Sequence, residues 1–281
     1  MKRLLIWLLL ASLFWTSCRD QNHLKPVDLQ IEGLTDPVCI DSVTPRFSWQ
    51  LESEIRGQKQ DAYRLIIASS EENIRSNKGD MYDSKKTESS DHTFVSYKGK
   101  KLESAETYYW KVKVWGDDND NGVWSKKAGW TTGLLYPEDK KAKWIANTNE
   151  NIRAPLFRKE FEIDKPVKSA TAYATGIGIY YLFFNGNKMT DALIDPGMTN
   201  YKSRILYGCY DLKPLIKKGQ NAVGLLLGEG MGAFSYSRKD RYKNVNKIDG
   251  PFPKPMGWFQ LEVEYQDGTE ETIISNSTWK T

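Results

Sequence analysis

Asp191 and Asp195, two carboxylates in one polar stretch, are the first side chains in this sequence spaced for acid–base chemistry. Such a pair works only when a fixed separation and opposed surroundings keep one carboxyl protonated and the other ionised. A single loop supplies neither condition, so no independent hydrolase is read from them. The run Asp117-Asp-Asn-Asp-Asn-Gly122 gathers oxygen side chains like the front of a calcium loop. It lacks the distal bidentate Glu and the flanking helices, and reads instead as a solvated hairpin loop. His23 and His92 lie far apart in polar surroundings, with no motif for a Ser-His-Asp triad or a histidine metal site. The expectation is no catalytic residue and no metal ligand set.

The three cysteines carry different chemistry. Met1-Lys-Arg3 is a short positive region, Leu4 to Trp15 is apolar, and Thr16-Ser17 places small residues before Cys18. This is the pattern of a secretory signal over 1–18, too short to span a membrane, with Cys18 as a bacterial lipoprotein acylation site. The chain is then exported and held to a bacterial membrane, periplasmic or at the cell surface, only through that lipid. Trp15 is atypical three residues before the cysteine, and ordinary secretion with Cys18 incidental is the alternative. Cys39 and Cys209 fall in separate expected domains, so they read as buried thiols and not as a disulfide framework.

The elements that must position any site are strands. The chain has 281 residues, 40% of them hydrophobic and 27% charged, enough for real cores in one to three domains. A net charge of +4 arises from scattered Lys with no basic stripe, which argues against nucleic acid as a partner. Aromatics make up 12%, which suits sugar stacking or a β-sheet core; for any single Trp the core reading is taken. Strand patterns recur at Pro45–Trp49, Ala62–Ala68 and Thr107–Trp115, the last with Tyr108, Trp110, Val112 and Val114 on one face. With Trp124-Ser125, this region resembles a fibronectin type III module.

After the charged linker 136–141, Pro155–Ile163 alternates with Phe157, Lys159, Phe161 and Ile163 facing inward. Ser169–Gly176, an apolar strand from Ile177 to Phe184, Ile205–Tyr210, Asn221–Gly228, Trp258–Tyr265 and Glu271–Ile274 follow. Asn185-Gly186 is the strongest hairpin signal, because both residues accept the positive φ of a type I′ turn. Long amphipathic helix patterns are missing. The expected fold is all-β: two antiparallel β-sandwiches in tandem, fibronectin III-like over 19–135 and jelly-roll-like over 136–281, the second incomplete at its C-terminus.

Several segments in this order resemble the N-terminal part of bacterial α-L-rhamnosidases, glycoside hydrolases of the inverting type. They are Pro45-Arg-Phe-Ser-Trp49 with Arg56-Gly57-Gln58, Trp110-Lys-Val-Lys-Val-Trp115, Trp124-Ser125 and Thr132-Gly-Leu-Leu135. Phe157-Arg-Lys-Glu-Phe161, Phe184-Asn-Gly-Asn187, Asp195-Pro-Gly197, Tyr201 with Arg204, and Tyr207 with Tyr210-Asp211 continue the match. The resemblance implies accessory sandwiches, with the two catalytic carboxylic acids in a later α/α barrel of a full-length parent acting on terminal α-L-rhamnose. A surface-tethered two-sandwich protein that binds carbohydrate or protein without catalysis is the alternative.

The resemblance also implies a place to look for sugar binding, since related sandwiches hold rhamnose, in some cases through calcium. The matching residues are Asp191, Asp195, Asn200, Tyr201 and Arg204, with Glu229 in Gly228-Glu-Gly-Met-Gly232 beside them. Rhamnose-containing glycans are the implied partners. No cofactor is implied beyond that calcium. Lys202-Ser203 and Met231 depart from the binding pattern by removing a cation ligand and a stacking ring. Each residue also has a purely structural reading: Asp195-Pro-Gly197 makes a good turn, Arg204 can pair with Asp211 or Glu229, and Tyr201 and Tyr207 can be core.

Overall fold

The computed structural model describes residues 24–116, 121–149, 152–233, 235–236, 248–249 and 251–281. Cys18, His23 and the acids Asp117 to Asp120 of the considered calcium loop lie outside these residues. The chain forms two compact units. The first comprises residues up to Pro37, Val43–Lys101 and Thr107–Trp130; the second comprises Val38–Ser42, Leu102–Glu106 and Thr131–Thr281.

In the first unit, β1 (Lys25–Ile31), β2 (Arg46–Glu52) and β6 (Val95–Ser96) form one antiparallel sheet. The other sheet is built on β3 (Gln60–Ala68) and β7 (Thr107–Gly116). Its shorter members are β4 (Tyr82–Asp83), β5 (Thr87–Glu88), β8 (Val123–Trp124) and β9 (Ala128–Thr131). A single helical turn, α1 (Glu71–Arg75), starts at Ser70, whose side chain accepts from Asn73 N. The expected alternation in β7 holds: Tyr108, Trp110, Val112 and Val114 are buried while their neighbours are not. Phe47 fills the space between the sheets, with its ring edge-on to Trp110 at 4.8 Å and to Trp130 at 5.5 Å. Buried Gln60 satisfies Trp49 Nε1 at 2.9 Å and donates to the Ser89 and Asp91 carbonyls.

The second unit pairs two four-stranded sheets. One runs β10 (Leu156–Ile163), β15 (Gly219–Gly228), β12 (Ile179–Phe184) and β13 (Asn187–Lys188). The other runs β14 (Gly208–Asp211), β11 (Val167–Ile177), β18 (Met256–Tyr265) and β19 (Glu270–Ile274). A two-residue pair, β16 (Ser235–Tyr236) and β17 (Ile248–Asp249), stands apart. Phe157, Leu182, Phe184, Val223, Leu225 and Leu227 from the first sheet bury themselves against Ala170, Ala172, Ala174, Phe259, Leu261 and Val263 from the second. Each large side chain so removed from water contributes roughly 1.5–3 kcal/mol.

Gly178 divides the apolar run read as one strand from Ile177 into β11 and β12, and so carries the chain from one sheet to the other. Its φ of +110° is a glycine conformation, and a Cβ there would strike the Gly228 carbonyl oxygen. At the hairpin, Asn185 and Gly186 take φ of 48° and 85°, as the turn signal required. Buried Asn221 pins this end, accepting from Asn185 Nδ2 at 2.9 Å and donating to the Lys217 and Gly219 carbonyls.

The β14-β11-β18-β19 sheet is covered on both faces. On its outer face the register aligns Cys209, Tyr173, Gln260 and Ile274 in one row across the sheet. Leu134 and Ala142, from the segment between β9 and β10, pack there with Tyr173 and Trp258. That segment is tied down by Trp258 Nε1 to the Ala142 carbonyl at 3.1 Å and Lys143 N to the Ser275 carbonyl at 2.9 Å. Cys39 packs on the same cluster. The Val38–Ser42 segment groups with the second unit by its contacts, and Ile40 bridges to Thr132 there.

Candidate functional site

The sugar-binding residues expected from the sequence lie on the connection between β13 and β14 and just after β15. Of these residues, only Glu229 lines either of the two cavities described below. Asp195 meets β12 and β14: its carbonyl accepts from Tyr180 N at 2.8 Å, and its carboxylate accepts from the Tyr210 hydroxyl at 3.3 Å. Tyr210 shares a second bond with the Tyr180 hydroxyl at 2.8 Å. Burial pushes the Tyr210 phenol up to about 12, with the neighbouring Asp195 charge adding to the shift. Burial likewise raises Tyr180, which is fully buried. Asp195 therefore terminates a chain of phenol hydroxyls rooted between the sheets. The Asp195–Pro196 peptide is cis.

Asn200 organises a turn: its carbonyl accepts from Ser203 N and Arg204 N, each at 2.8 Å, and its side-chain oxygen accepts from Lys202 N at 3.2 Å. Tyr201 is buried. The Arg204 guanidinium is largely exposed and lies 3.5 Å from the Asp41 carboxylate. Asp191 is exposed. Three strongly exposed apolar residues, Leu193, Ile194 and Met198, stand on the same connection.

Glu229 is engaged elsewhere. Arg153 grips it with both nitrogens, Nε at 2.7 Å from one oxygen and an Nη2 bond to the other. This fork-on-carboxylate pairing closes one side of a small cleft of ≈ 50 Å³ that Asn147, Asn149 and Lys254 also line. A larger concavity of ≈ 340 Å³ lies on the outer face of β10, β15 and β12, where Gly224 leaves a gap between Leu156 and Phe183. Leu226 and Ala222 complete its apolar lining. Arg158 at its edge already donates to Glu160 at 2.7 Å. Among the described residues, no group of three or more His, Cys, Asp or Glu side chains is placed to hold a metal ion.

The partners that decide these roles were not singled out from the sequence: Arg153 for Glu229, Asp41 for Arg204, Tyr180 and Tyr210 for Asp195. Each pair is distant along the chain and belongs to no local motif.

Comparison with known proteins adds to this geometry. Residues 26–136 match the Rha78A-like, N-terminal immunoglobulin domain, and residues 165–281 match the alpha-L-rhamnosidase N-terminal domain. An α-L-rhamnosidase of Formosa agariphila is 33% identical over 308 aligned residues, covering 99% of this chain and 32% of the relative. One from an Alteromonas species is 34% identical, covering 96% of this chain and 30% of its own length. The chain thus spans about a third of the curated relatives it matches. The solved α-L-rhamnosidase of Dictyoglumus thermophilum superposes with a TM-score of 0.79 at 35% identity, over 91% of this chain and 29% of that one. A Streptomyces avermitilis α-L-rhamnosidase complexed with L-rhamnose gives a TM-score of 0.78, covering 92% of this chain and 41% of that one; at 20% identity it shows the shared fold.

Proposed function

This chain belongs, domain by domain, to the N-terminal region of the α-L-rhamnosidases, and from that premise we propose that it forms the accessory sandwiches of a rhamnosidase-like glycoside hydrolase. The full-length parent would hydrolyse terminal α-L-rhamnose from glycans or glycosides with inversion. One carboxylic acid would protonate the leaving oxygen and one carboxylate would activate water, both on the parent's α/α barrel. The observation that carries this reading is the pair of domain matches in the parent's order, across nearly all of this chain and only a third of the relatives.

The state of the local carboxylates supports a structural role for these sandwiches. Asp195 accepts from Tyr210 and Glu229 is gripped by Arg153, contacts that serve the fold. A second reading is carbohydrate binding without catalysis by the connection between β13 and β14. It draws on the exposure of Asp191, Asn200 and Arg204. Export and lipid attachment at Cys18 complete the proposal: the sandwiches would be held at a bacterial membrane by the acylated N-terminus.

The test is an antiserum raised against this chain and applied to the native source. The proposal expects an antigen about three times the length of this chain, as in the relatives, and immunoprecipitates that cleave a chromogenic α-L-rhamnoside. An antigen no longer than this chain, with no rhamnosidase activity in the precipitate, would overturn it. Calorimetric titration of L-rhamnose into this chain, with and without calcium, separates the second reading, which requires saturable binding without turnover.

A further inference from the structure

We propose that Cys39 and Cys209 are a disulfide-forming pair that oxidation closes within one chain. Both are half-buried thiols of the second compact unit, and both pack against one apolar cluster. Each backbone is fixed independently. Cys39 N donates to Thr131 Oγ1 at 2.9 Å, and the next residue accepts from Gly133 N at 2.9 Å. Cys209 stands directly opposite Tyr173 in the β14–β11 ladder. Cys39 is held at φ 66°, a conformation that a residue with a side chain keeps only where its surroundings impose it. Two thiols brought together by two fixed backbones need little motion to bond.

The surroundings favour the bonded form. Tyr173, Tyr207, Trp258 and Leu134 share one apolar cluster with the two cysteines, and the fully buried Tyr173 hydroxyl has no hydrogen-bond partner. In this weakly solvated setting, the Cys39 thiol and burial both push the Cys209 thiol pKa up. A neutral disulfide places no charge there. Either thiol can attack first; written from Cys39, the exchange runs in two steps. Cys39 sulfur attacks a disulfide oxidant such as oxidised glutathione, forming a mixed disulfide and releasing one glutathione thiol. Cys209 sulfur then displaces the second glutathione, whose leaving sulfur takes up the Cys209 proton. Two protein thiols become one disulfide, and one glutathione disulfide becomes two thiols. The export proposed above would supply an oxidising compartment, but the chemistry can be tested without it.

The experiment incubates the full chain with oxidised glutathione, blocks remaining thiols, and maps peptides without reduction. The expected product is a single intramolecular cross-link joining the peptides that carry Cys39 and Cys209. Because the bond closes a long loop, the oxidised chain should melt roughly 5–15 °C above the reduced one. Cys39→Ser and Cys209→Ser should each abolish that difference. The peptide map is read on the unaltered chain, so it stands whether or not the serine variants fold. Cross-links to Cys18 or between chains, stable glutathione adducts on Cys39 or Cys209, or an oxidised form no more stable than the reduced one would overturn the proposal.

Discussion

Replacing Gln260 tests how the second unit holds its outer covering. Gln260 is fully buried on the outer face of β18. Its oxygen accepts from Lys141 N at 2.8 Å and Ala142 N at 3.1 Å, while its nitrogen donates to the Asp139 carbonyl at 2.7 Å and to Glu262 at 2.6 Å. Gln260→Leu keeps the volume and removes all four bonds. Ala142 is itself buried, so its N–H loses its partner without gaining water, a cost of about 1–3 kcal/mol. The other groups are nearer solvent and add less. The expected loss is about 2–4 kcal/mol, read by urea unfolding of the chain with peptide-resolved hydrogen exchange over 139–145. Gln260→Glu sharpens the test. A protonated Glu can accept from the two N–H groups and donate to Asp139 O, whereas an ionised one faces that oxygen and Glu262 with no proton to share. Its folded pKa must rise above the unfolded value of about 4.3, so its stability should be greatest below that pH and fall as pH rises through the folded pKa. A Gln260→Leu change within about 0.5 kcal/mol of wild type, the size of an ordinary surface substitution, or a Gln260→Glu variant that strengthens with pH, would refute the reasoning.

Three further outcomes follow from the same bonds. Asp195→Ala should cost about 1–2 kcal/mol of stability by chemical denaturation, because Tyr210 loses its acceptor; unchanged stability with lost rhamnose binding would reassign Asp195 to the sugar. Gly178→Ala should cost more than about 3 kcal/mol, since it combines a positive φ with a backbone clash, and a melting temperature near wild type would count against the crossover geometry. In the first unit, Arg64 donates twice to Asp83 at 2.9 and 2.8 Å and Lys85 adds a third bond, which hold the Asp83 carboxyl well below its usual range. A lowered folded pKa stabilises above the unfolded value near 3.9 and is lost as pH falls toward the folded one, so that unit should weaken below about pH 4, and Asp83→Asn should flatten the slope.

Period-two patterning made the sandwich cores legible, because burial on one face of a strand leaves its mark on every second residue. The β7 face from Tyr108 to Val114 and the inward Phe157 and Ile163 were readable for that reason. The Asn185-Gly186 turn was readable because its backbone conformation restricts residue type. The strand read at Ile205–Tyr210 begins later, at Gly208. Its first residues are diverted to side-chain bonds: Thr175 Oγ1 donates to the Leu206 carbonyl at 2.5 Å, and the Tyr207 hydroxyl accepts from Leu134 N at 3.1 Å. Cys39 shows the limit most plainly. Its companions in the cluster are remote in sequence, and no local pattern announces that the Val38–Ser42 segment groups with the second unit.

The candidate site was legible as a list of residue types and not as an arrangement, for a physical reason. A carboxylate is read as a ligand only while its partners are unknown. Once the Tyr180–Tyr210 hydroxyl pair ends on Asp195, that carboxylate stabilises the join between β12 and β14. Binding a sugar hydroxyl or a cation there would compete with the Tyr210 bond, and losing it would leave buried phenols seeking another acceptor. The same holds for Glu229, whose two oxygens are both taken by Arg153. Asp191, Asn200 and Arg204 retain exposure, and Arg204 gives its charge to Asp41 at a separation weak enough for a ligand to displace. A rhamnose site on this connection would therefore have to be built from Asn200 and Arg204, with Asp195 left in the fold. Loss of sugar binding in Arg204→Ala, with unfolding midpoints preserved, is the pattern that such a site must produce.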